Sequence, residues 1–180
     1  MAVVLGIDAA WTERGSSAVA VLRYEQKRRH IVAVAPSYSS FIGLGHGRPV
    51  TWMNGPGGAA DVTGLLATAE LLAGSPVDVV AIDMPMSHKA ISGYRIADRE
   101  LSRAFGAVQV STHTPNGIRP GSYGSRITAE FIRAGFCLAT ATSHKLPSLV
   151  EVFPLAALVQ LMGLSMRPVS PTRFKDFWRN

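Results

Sequence analysis

The amino-terminal part of the chain alternates short apolar runs with polar turns, a pattern typical of β-strands. Residues 3–7, 17–24 and 30–35 form three such runs, and a basic turn over residues 25–29 separates the last two. Strands joined by short turns pair side by side in opposite directions. We therefore expect an antiparallel meander of three strands.

A fourth apolar run, over residues 77–82, repeats the design of the first. It is followed by Asp83, as residues 3–7 are followed by Asp8. Continuous apolar runs of this length are typical of strands that are buried on both faces of a parallel sheet. Residues 149–153 predict a further strand near the end of the chain.

Apolar residues at helical spacing predict four helices between and after these strands. Residues 43–58 are rich in Gly and Pro and predict an irregular loop. This order of elements predicts an α/β fold with a mixed sheet, antiparallel over its first three strands and then parallel, flanked by helices. The predicted helices cover residues 59–73, 95–105, 126–134 and 155–162.

A chain of 180 residues, 47% of them hydrophobic and 17% charged, is expected to form a single domain over residues 1–180. No apolar run reaches the roughly 18 residues that a membrane-spanning helix needs. Cys137 is the only cysteine, which excludes an intramolecular disulfide and fits a reducing compartment. We therefore expect a cytoplasmic protein with no membrane partner.

The formal net charge is +6, and 14 of the 18 basic residues are arginine. Planar guanidinium groups suit bidentate phosphate contacts, so this excess favours a polyanionic partner such as nucleic acid. The alternative is that the arginines cover an ordinary solvated surface. Charge alone leaves both explanations open.

Three of the twelve carboxylates differ from those on helix surfaces and in turns. Asp8, Asp83 and Glu151 each lie at or near the end of an apolar strand, where ligand sites of α/β sheets gather. If Asp8 and Asp83 end adjacent parallel strands, their carboxylates approach to about 5 Å and repel by about 3 kcal/mol at an effective dielectric of ~20. Mg²⁺ or Mn²⁺ would offset this repulsion, because hard cations prefer oxygen ligands. The alternative is that each aspartate caps a turn or pairs with an arginine.

Motifs for other chemistries are missing from the sequence. The glycines of residues 43–47 do not have the spacing of a dinucleotide-binding loop, and residues 55–58 lack the Lys and Ser/Thr of a P-loop. The five histidines show no metal-ligand spacing, and no Gly-x-Ser-x-Gly turn marks a serine hydrolase. We therefore expect no Rossmann, P-loop, zinc or serine-hydrolase site.

Two groups of arginines are candidate phosphate contacts. Arg95, Arg99 and Arg103 recur every four residues and form one row on a predicted helix, where an anion would relieve their mutual repulsion. Arg119 lies in a polar loop, residues 112–124, that contains several hydroxyl groups. The alternatives are a solvated helix face with nearby acids as counter-charges, and a tight connection that needs Gly and Pro. The predicted substrate-binding residues are Arg95, Arg99 and Arg119.

Five short segments carry a resemblance to a known family. They are Gly-Ile-Asp-Ala-Ala-Trp at 6–11, Ile-Asp-Met-Pro at 82–85, Arg95 with Asp98 and Arg99, Thr-Pro-Asn-Gly at 114–117 and Glu-Val-Phe-Pro at 151–154. Together they resemble an uncharacterised predicted-nuclease family with an RNase H-like fold. The resemblance runs from Asp8 almost to the carboxyl terminus. It implies an RNase H-like fold and nuclease activity.

The chain departs from that family at its end. RNase H-like nucleases usually complete the site with a carboxylate from a C-terminal helix, and the family continues with an acidic helical segment beyond this point. Here the chain stops at Asn180, and Asp176 is the only acid after Glu151. We therefore expect a domain truncated at its carboxyl terminus, either a naturally short member or a fragment, whose metal site lacks this carboxylate.

The leading hypothesis is a metal-dependent nuclease that hydrolyses phosphodiester bonds with Mg²⁺ or Mn²⁺. Asp8 and Asp83 are its predicted metal ligands, and Glu151 is either a third ligand or the base that orients water. Two alternatives stay open: a nucleotide-binding relative of actin-like and sugar-kinase ATPases, and a non-catalytic nucleic-acid-binding module. DNA, RNA and nucleotide substrates all remain open, as does the oligomeric state.

Overall fold

The computed structural model describes residues 1–52, 57–108, 110–140 and 145–162 of the chain. The chain divides into two compact units. The first contains Met1–Ser92 and Asn116–Val152, and the second contains Gly93–Pro115 and the chain from Phe153 onward. Each unit has its own cluster of buried apolar side chains.

Three strands rich in apolar residues form the antiparallel part of the first unit's sheet. They are β1 (Ala2–Asp8), β2 (Ala18–Glu25) and β3 (Arg28–Ala35). β1 pairs with β2 along its whole length, and β2 pairs with β3. The predicted meander is therefore confirmed. The turn between β2 and β3 consists of Gln26 and Lys27 and is shorter than the predicted turn over residues 25–29, because β2 ends at Glu25 and β3 begins at Arg28.

The other strands of the sheet run parallel to β1. They are β4 (Val79–Ile82), β5 (Cys137–Leu138) and β6 (Ser148–Glu151). The described strands make one six-stranded sheet in the order β3-β2-β1-β4-β6-β5. The predicted mixed sheet, antiparallel and then parallel, is confirmed. The strand β5 was not predicted, because two residues are too few for a periodic signal.

One face of the sheet carries the core of the first unit. Val3, Leu5 and Ile7 alternate as buried residues along β1, and Val80 and Ile82 do so on β4. Buried side chains from three helices join the same cluster. These helices are α1 (Tyr38–Gly45), α2 (Val62–Ala73) and α4 (Ser122–Arg133).

α1 lies partly within residues 43–58, where the sequence predicted an irregular loop. The Ser37 side chain caps the helix by accepting a hydrogen bond from a first-turn backbone N–H at 3.1 Å, and Phe41 is fully buried. Gly45 allows close packing against α2, since a Cβ there would lie 3.1 Å from Thr68 Oγ1. The loop prediction is therefore wrong for residues 43–45, because this glycine serves helix packing and not a turn.

The two other helices of this unit match their predictions with shifted bounds. α2 begins later than the predicted residue 59, because Asp61 Oδ1 accepts a hydrogen bond from Gly64 N at 2.9 Å and caps the helix. Gly74, with φ +70°, ends it as expected. α4 begins at Ser122, before the predicted residue 126.

The described residues of the second unit contain two helices, each within one residue of its predicted start. They are α3 (Ile96–Phe105) and α5 (Pro154–Met162), and a 3₁₀ turn over Gly106–Val108 follows α3. Its described buried core residues are Val108, Val110, Ala156 and Val159. Across the described ranges of both units, no helix has the length and apolar character needed to cross a membrane.

Arg95 and Asp98 form a capping box at the N-terminus of α3. Asp98 Oδ2 accepts hydrogen bonds from the backbone N and the Nε of Arg95 at 2.9 and 3.0 Å, and Oδ1 accepts one from Nη2 at 2.8 Å. Asp98 is only 2% exposed. Burial raises the pKa of Asp98, but the hydrogen bonds and charge of Arg95 outweigh burial and hold the pKa below its ordinary value of 3.8.

We expect Asp98→Ala to destabilise the second unit. The change removes three hydrogen bonds from a buried carboxylate, which should lower the free energy of unfolding by about 2 kcal/mol at neutral pH. Because the folded pKa of Asp98 is depressed, its contribution is complete above the unfolded pKa and is lost as the pH falls through the folded pKa. The difference between wild type and variant should therefore shrink below about pH 4.

Thermal unfolding followed by circular dichroism measures this difference. Glu100→Ala is the control, because Glu100 pairs with Arg103 on an open helix face, with side chains 57% and 78% exposed. Such a pair should change stability by less than about 0.5 kcal/mol. Equal losses in the two variants would contradict the role of Asp98.

Candidate functional site

The carboxyl ends of β1 and β4 lie side by side. Ile7 and Ile82 are register partners, and the backbone N–H of Asp83 donates to Ile7 O at 2.9 Å. Asp8 and Asp83 follow these isoleucines at the same level of neighbouring strands, which are about 4.8 Å apart in a sheet. Asp8 is exposed and Asp83 is half-buried. The structure thus brings these two aspartates to one edge of the sheet.

Glu151 reaches this edge from the other face of the sheet. It is the register partner of Ile82, and parallel register partners project to the same face, whereas Asp8 follows Ile7 and projects to the opposite face. Glu151 Oε2 accepts a hydrogen bond from the backbone N of Met86 at 2.9 Å. In the described part of the chain, no three or more His, Cys, Asp or Glu side chains are grouped so that they could hold a metal ion.

The loop after β1 contacts both the end of β4 and Arg119. Trp11 Nε1 donates to the backbone O of Asp83 at 3.0 Å, and Trp11 has φ +61°, which is uncommon for a bulky residue. Arg119 is exposed, and its Nη2 donates to Ala10 O at 3.4 Å. Arg119 is therefore a predicted phosphate contact that lies beside the carboxylate edge within the first unit.

Asn116 fixes the backbone that carries Arg119. Its Oδ1 accepts hydrogen bonds from the backbone N of Ile118 at 2.9 Å and of Arg119 at 2.8 Å. Such side-chain to backbone bonds stabilise a turn locally. Asn116 of the Thr-Pro-Asn-Gly segment thus has a structural role in placing the arginine.

Arg95 and Arg99 belong to the second unit. Arg95 forms the bidentate pair with Asp98, and Arg103 pairs with Glu100 at 2.9 Å. Arg99 is exposed. In the row of Arg95, Arg99 and Arg103, two arginines therefore have acidic partners on the same helix, as the interpretation of the row as a solvated helix face expects. Phosphate binding by Arg95 and Arg99 stays a prediction.

Two buried tyrosines interact with each other, and one of them, Tyr38, also lies near Asp8, an arrangement that the sequence did not predict. Tyr38 and Tyr123 are 5% and 6% exposed. Burial raises the pKa of Tyr38, and the charge of Asp8 raises it further, against the opposite effect of the Ser17 and Tyr123 hydroxyls. Burial also raises the pKa of Tyr123. No spacing rule links residues so far apart in the sequence, so no sequence signal could have found this cluster.

α4 packs against the segment that follows β4. Gly124 lies in the first turn of α4, where an added Cβ would lie only 2.7 Å from Pro85 O. The next residue, Met86, is buried and donates its backbone N–H to Glu151. Close approach at Gly124 therefore positions both the residues after Asp83 and the group that holds Glu151.

Comparisons with known proteins give no match: no family model, no curated protein and no solved structure matches this chain. The candidate site is therefore defined by its own residues and their geometry.

We expect Gly124→Ala to loosen this site. The added Cβ collides with a backbone oxygen, so α4 or the segment after β4 must shift, at a cost of about 1–3 kcal/mol. Gly106→Ala is the matched control, because Gly106 has right-handed helical φ of −59° and nothing within 4 Å of the added Cβ. Thermal unfolding should separate the two variants. Equal stability of both would show that α4 does not hold this segment.

Proposed function

We propose that the chain is a metal-dependent phosphodiesterase that cleaves nucleic acid at the edge formed by Asp8 and Asp83. The observation that carries the proposal is the register of Ile7 with Ile82, which sets two acids at the aligned ends of neighbouring parallel strands. Carboxylates about 5 Å apart repel by about 3 kcal/mol at an effective dielectric of ~20, and a bound cation removes this cost. The arrangement therefore favours a cation site.

Asp8 and Asp83 fit a hard divalent cation. Mg²⁺ is usually held by one or two carboxylates together with phosphate oxygens of the substrate, and not by an all-protein cage. A two-carboxylate edge meets this requirement, although the described residues contain no larger group. Mg²⁺ or Mn²⁺ held by these aspartates would supply Lewis-acid polarisation of the phosphate and a nucleophilic water at neutral pH.

Glu151 suits the positioning of water better than the binding of metal. It comes from the face of the sheet opposite to Asp8, and the Met86 N–H holds its Oε2 at 2.9 Å. A carboxylate fixed in this way has a defined orientation and can accept a proton at the edge of the site. We therefore assign Glu151 the role of the water-orienting base.

One further side chain suits contact with a phosphate. Arg119 lies against the loop after β1, where its guanidinium would neutralise phosphate charge. Arg119 belongs to the unit that carries the aspartates.

The family resemblance adds support for this proposal. An RNase H-like sheet is expected to have three antiparallel strands followed by parallel ones, and the order β3-β2-β1-β4 agrees with that arrangement. We extend the proposal to an RNase H-like fold, with one domain over residues 1–180. A cytoplasmic location stays an expectation from the sequence.

A second candidate is a non-catalytic nucleic-acid-binding module. It is favoured by the lack of a group of three or more possible metal-binding side chains among the described residues. This candidate predicts binding of nucleic acid without turnover. The ATPase alternative instead predicts phosphate release from ATP.

Cleavage of labelled DNA and RNA in Mg²⁺ or Mn²⁺ tests the proposal. Asp8→Asn and Asp83→Asn should each lower the rate by at least about 100-fold, because each removes a ligand charge from the cation. Asp61→Asn is the matched control: it removes one charge but keeps an N-cap that asparagine supplies equally well. Metal-dependent cleavage that survives both site variants would contradict the assignment, and binding without cleavage by the wild type would favour the binding module.

Glu151→Gln and Glu151→Ala separate the charge of Glu151 from its hydrogen bond. Gln keeps an oxygen for the Met86 N–H but cannot accept a proton from water, so we expect about a 100-fold loss of rate with unchanged stability. Ala should lose both rate and stability. Full activity of the Gln variant would reduce Glu151 to a structural anchor.

A further inference from the structure

The tip of the β2–β3 hairpin concentrates positive charge. Four basic residues occur between residues 23 and 29, and we call this group, Arg23, Lys27, Arg28 and Arg29, the basic hairpin. Glu25, which lies within this stretch of the sequence, is 3.9 Å from Arg23 in a half-exposed ion pair. Lys27, Arg28 and Arg29 are exposed, and within the described ranges no ion pair involves them. Three positive charges are thus available to a partner.

The basic hairpin lies far from the candidate active site. In the register of β1 with β2, Tyr24 is opposite Ala2, whereas Ala18 is opposite Asp8. Six residues of extended strand separate the two ends, which corresponds to roughly 20 Å. These charges therefore form a surface of their own and are not contacts to a phosphate at the aspartates.

Apolar side chains lie beside the charges on one sheet face. Tyr24 is opposite Arg29, and Leu22 is opposite Ile31, so these pairs project to the same face, away from buried Val21. Tyr24 is 42% exposed and Ile31 is 72% exposed. Asp8 projects to this face too, because it shares the alternation of Ala2, the register partner of Tyr24. The Tyr24 ring and the Arg29 guanidinium thus lie together on the face that ends at Asp8, whereas Arg28, the register partner of Glu25, projects to the other face of the hairpin.

The turn holds this surface in a strained conformation. Gln26 and Lys27 have φ of +49° and +64°, and the residues on either side of them, Glu25 and Arg28, are register partners of the two strands. A two-residue hairpin turn with both φ positive normally carries Asn and Gly. Side chains other than glycine cost stability in this conformation, so the lysine at the apex is held against its local preference. Strain of this kind is often associated with binding sites.

We propose that the basic hairpin, with Tyr24, is a binding surface for single-stranded nucleic acid. Lys27, Arg28 and Arg29 contact successive phosphates, and the Tyr24 ring stacks on a base, a combination typical of single-strand binding. A phospholipid surface is less favoured, since Tyr24 and Ile31 offer little apolar area for insertion. The inference rests on the proposed function only for the choice of polymer and not for the chemistry at Asp8.

Fluorescence anisotropy with labelled single strands of about 20 nucleotides tests the proposal, with EDTA present so that catalysis does not contribute. The variant Lys27→Gln/Arg28→Gln/Arg29→Gln should bind at least about tenfold more weakly. The slope of log affinity against log salt should become shallower by about 2, because each neutralised phosphate contributes ~0.7 to that slope. The single variants Arg28→Gln and Arg29→Gln should each show part of this change.

A charge-matched variant separates a local surface from general attraction. Arg48→Gln/Lys89→Gln/Arg133→Gln removes three exposed charges elsewhere, and we expect less than about a threefold decrease in affinity. Tyr24→Phe should bind as the wild type does, whereas Tyr24→Leu should bind roughly tenfold more weakly.

Three results would overturn the proposal. They are equal decreases in affinity in the two triple variants, unchanged binding in the hairpin variant, and hairpin-dependent binding to phosphatidylcholine–phosphatidylserine vesicles without binding to oligonucleotides. Absence of cleavage with intact hairpin-dependent binding would count only against the proposed function. Cleavage with unchanged binding in the hairpin variant would count only against this surface.

Discussion

The parallel pairing of β1 with β4 is the constraint on which the rest of the structure depends. Ile7 and Ile82 are buried register partners at the centre of the sheet. A slip of one residue would turn the apolar side chains of a strand to the opposite face, so burial fixes the register. Because an aspartate directly follows each isoleucine, the register that buries Ile7 and Ile82 also aligns Asp8 with Asp83. The core and the candidate site therefore depend on the same pairing.

Much of this arrangement could be predicted from the sequence, because its signals are local and periodic. Alternating or continuous apolar runs mark the longer strands, and helical spacing marks most of the helices. The two apolar runs followed by Asp8 and Asp83 predict strand-end carboxylates without knowledge of the register. The order of the elements then predicts the change from antiparallel to parallel pairing, as observed in the sheet.

Features that depend on contacts between distant residues could not be predicted. Gly45 belongs to a Gly- and Pro-rich segment that predicts a loop, but in the structure it allows α1 to pack closely against Thr68 of α2. Glu151 lies at the end of an apolar run, as Asp8 and Asp83 do. However, it is the register partner of Ile82, so its side chain projects to the face of the sheet opposite to theirs. From the sequence, the row of Arg95, Arg99 and Arg103 fits either a phosphate site or a solvated helix face. Only the structure shows the bidentate pair of Arg95 with Asp98.

A crystal of the protein soaked in Mn²⁺, with anomalous scattering recorded, tests the central claim most directly. We predict one Mn²⁺ ion with carboxylate oxygens of both Asp8 and Asp83 within about 2.5 Å. The ion should be absent from crystals of Asp8→Asn soaked in the same way. An arginine side chain between the two aspartates, with no ion at saturating Mn²⁺, would contradict the claim.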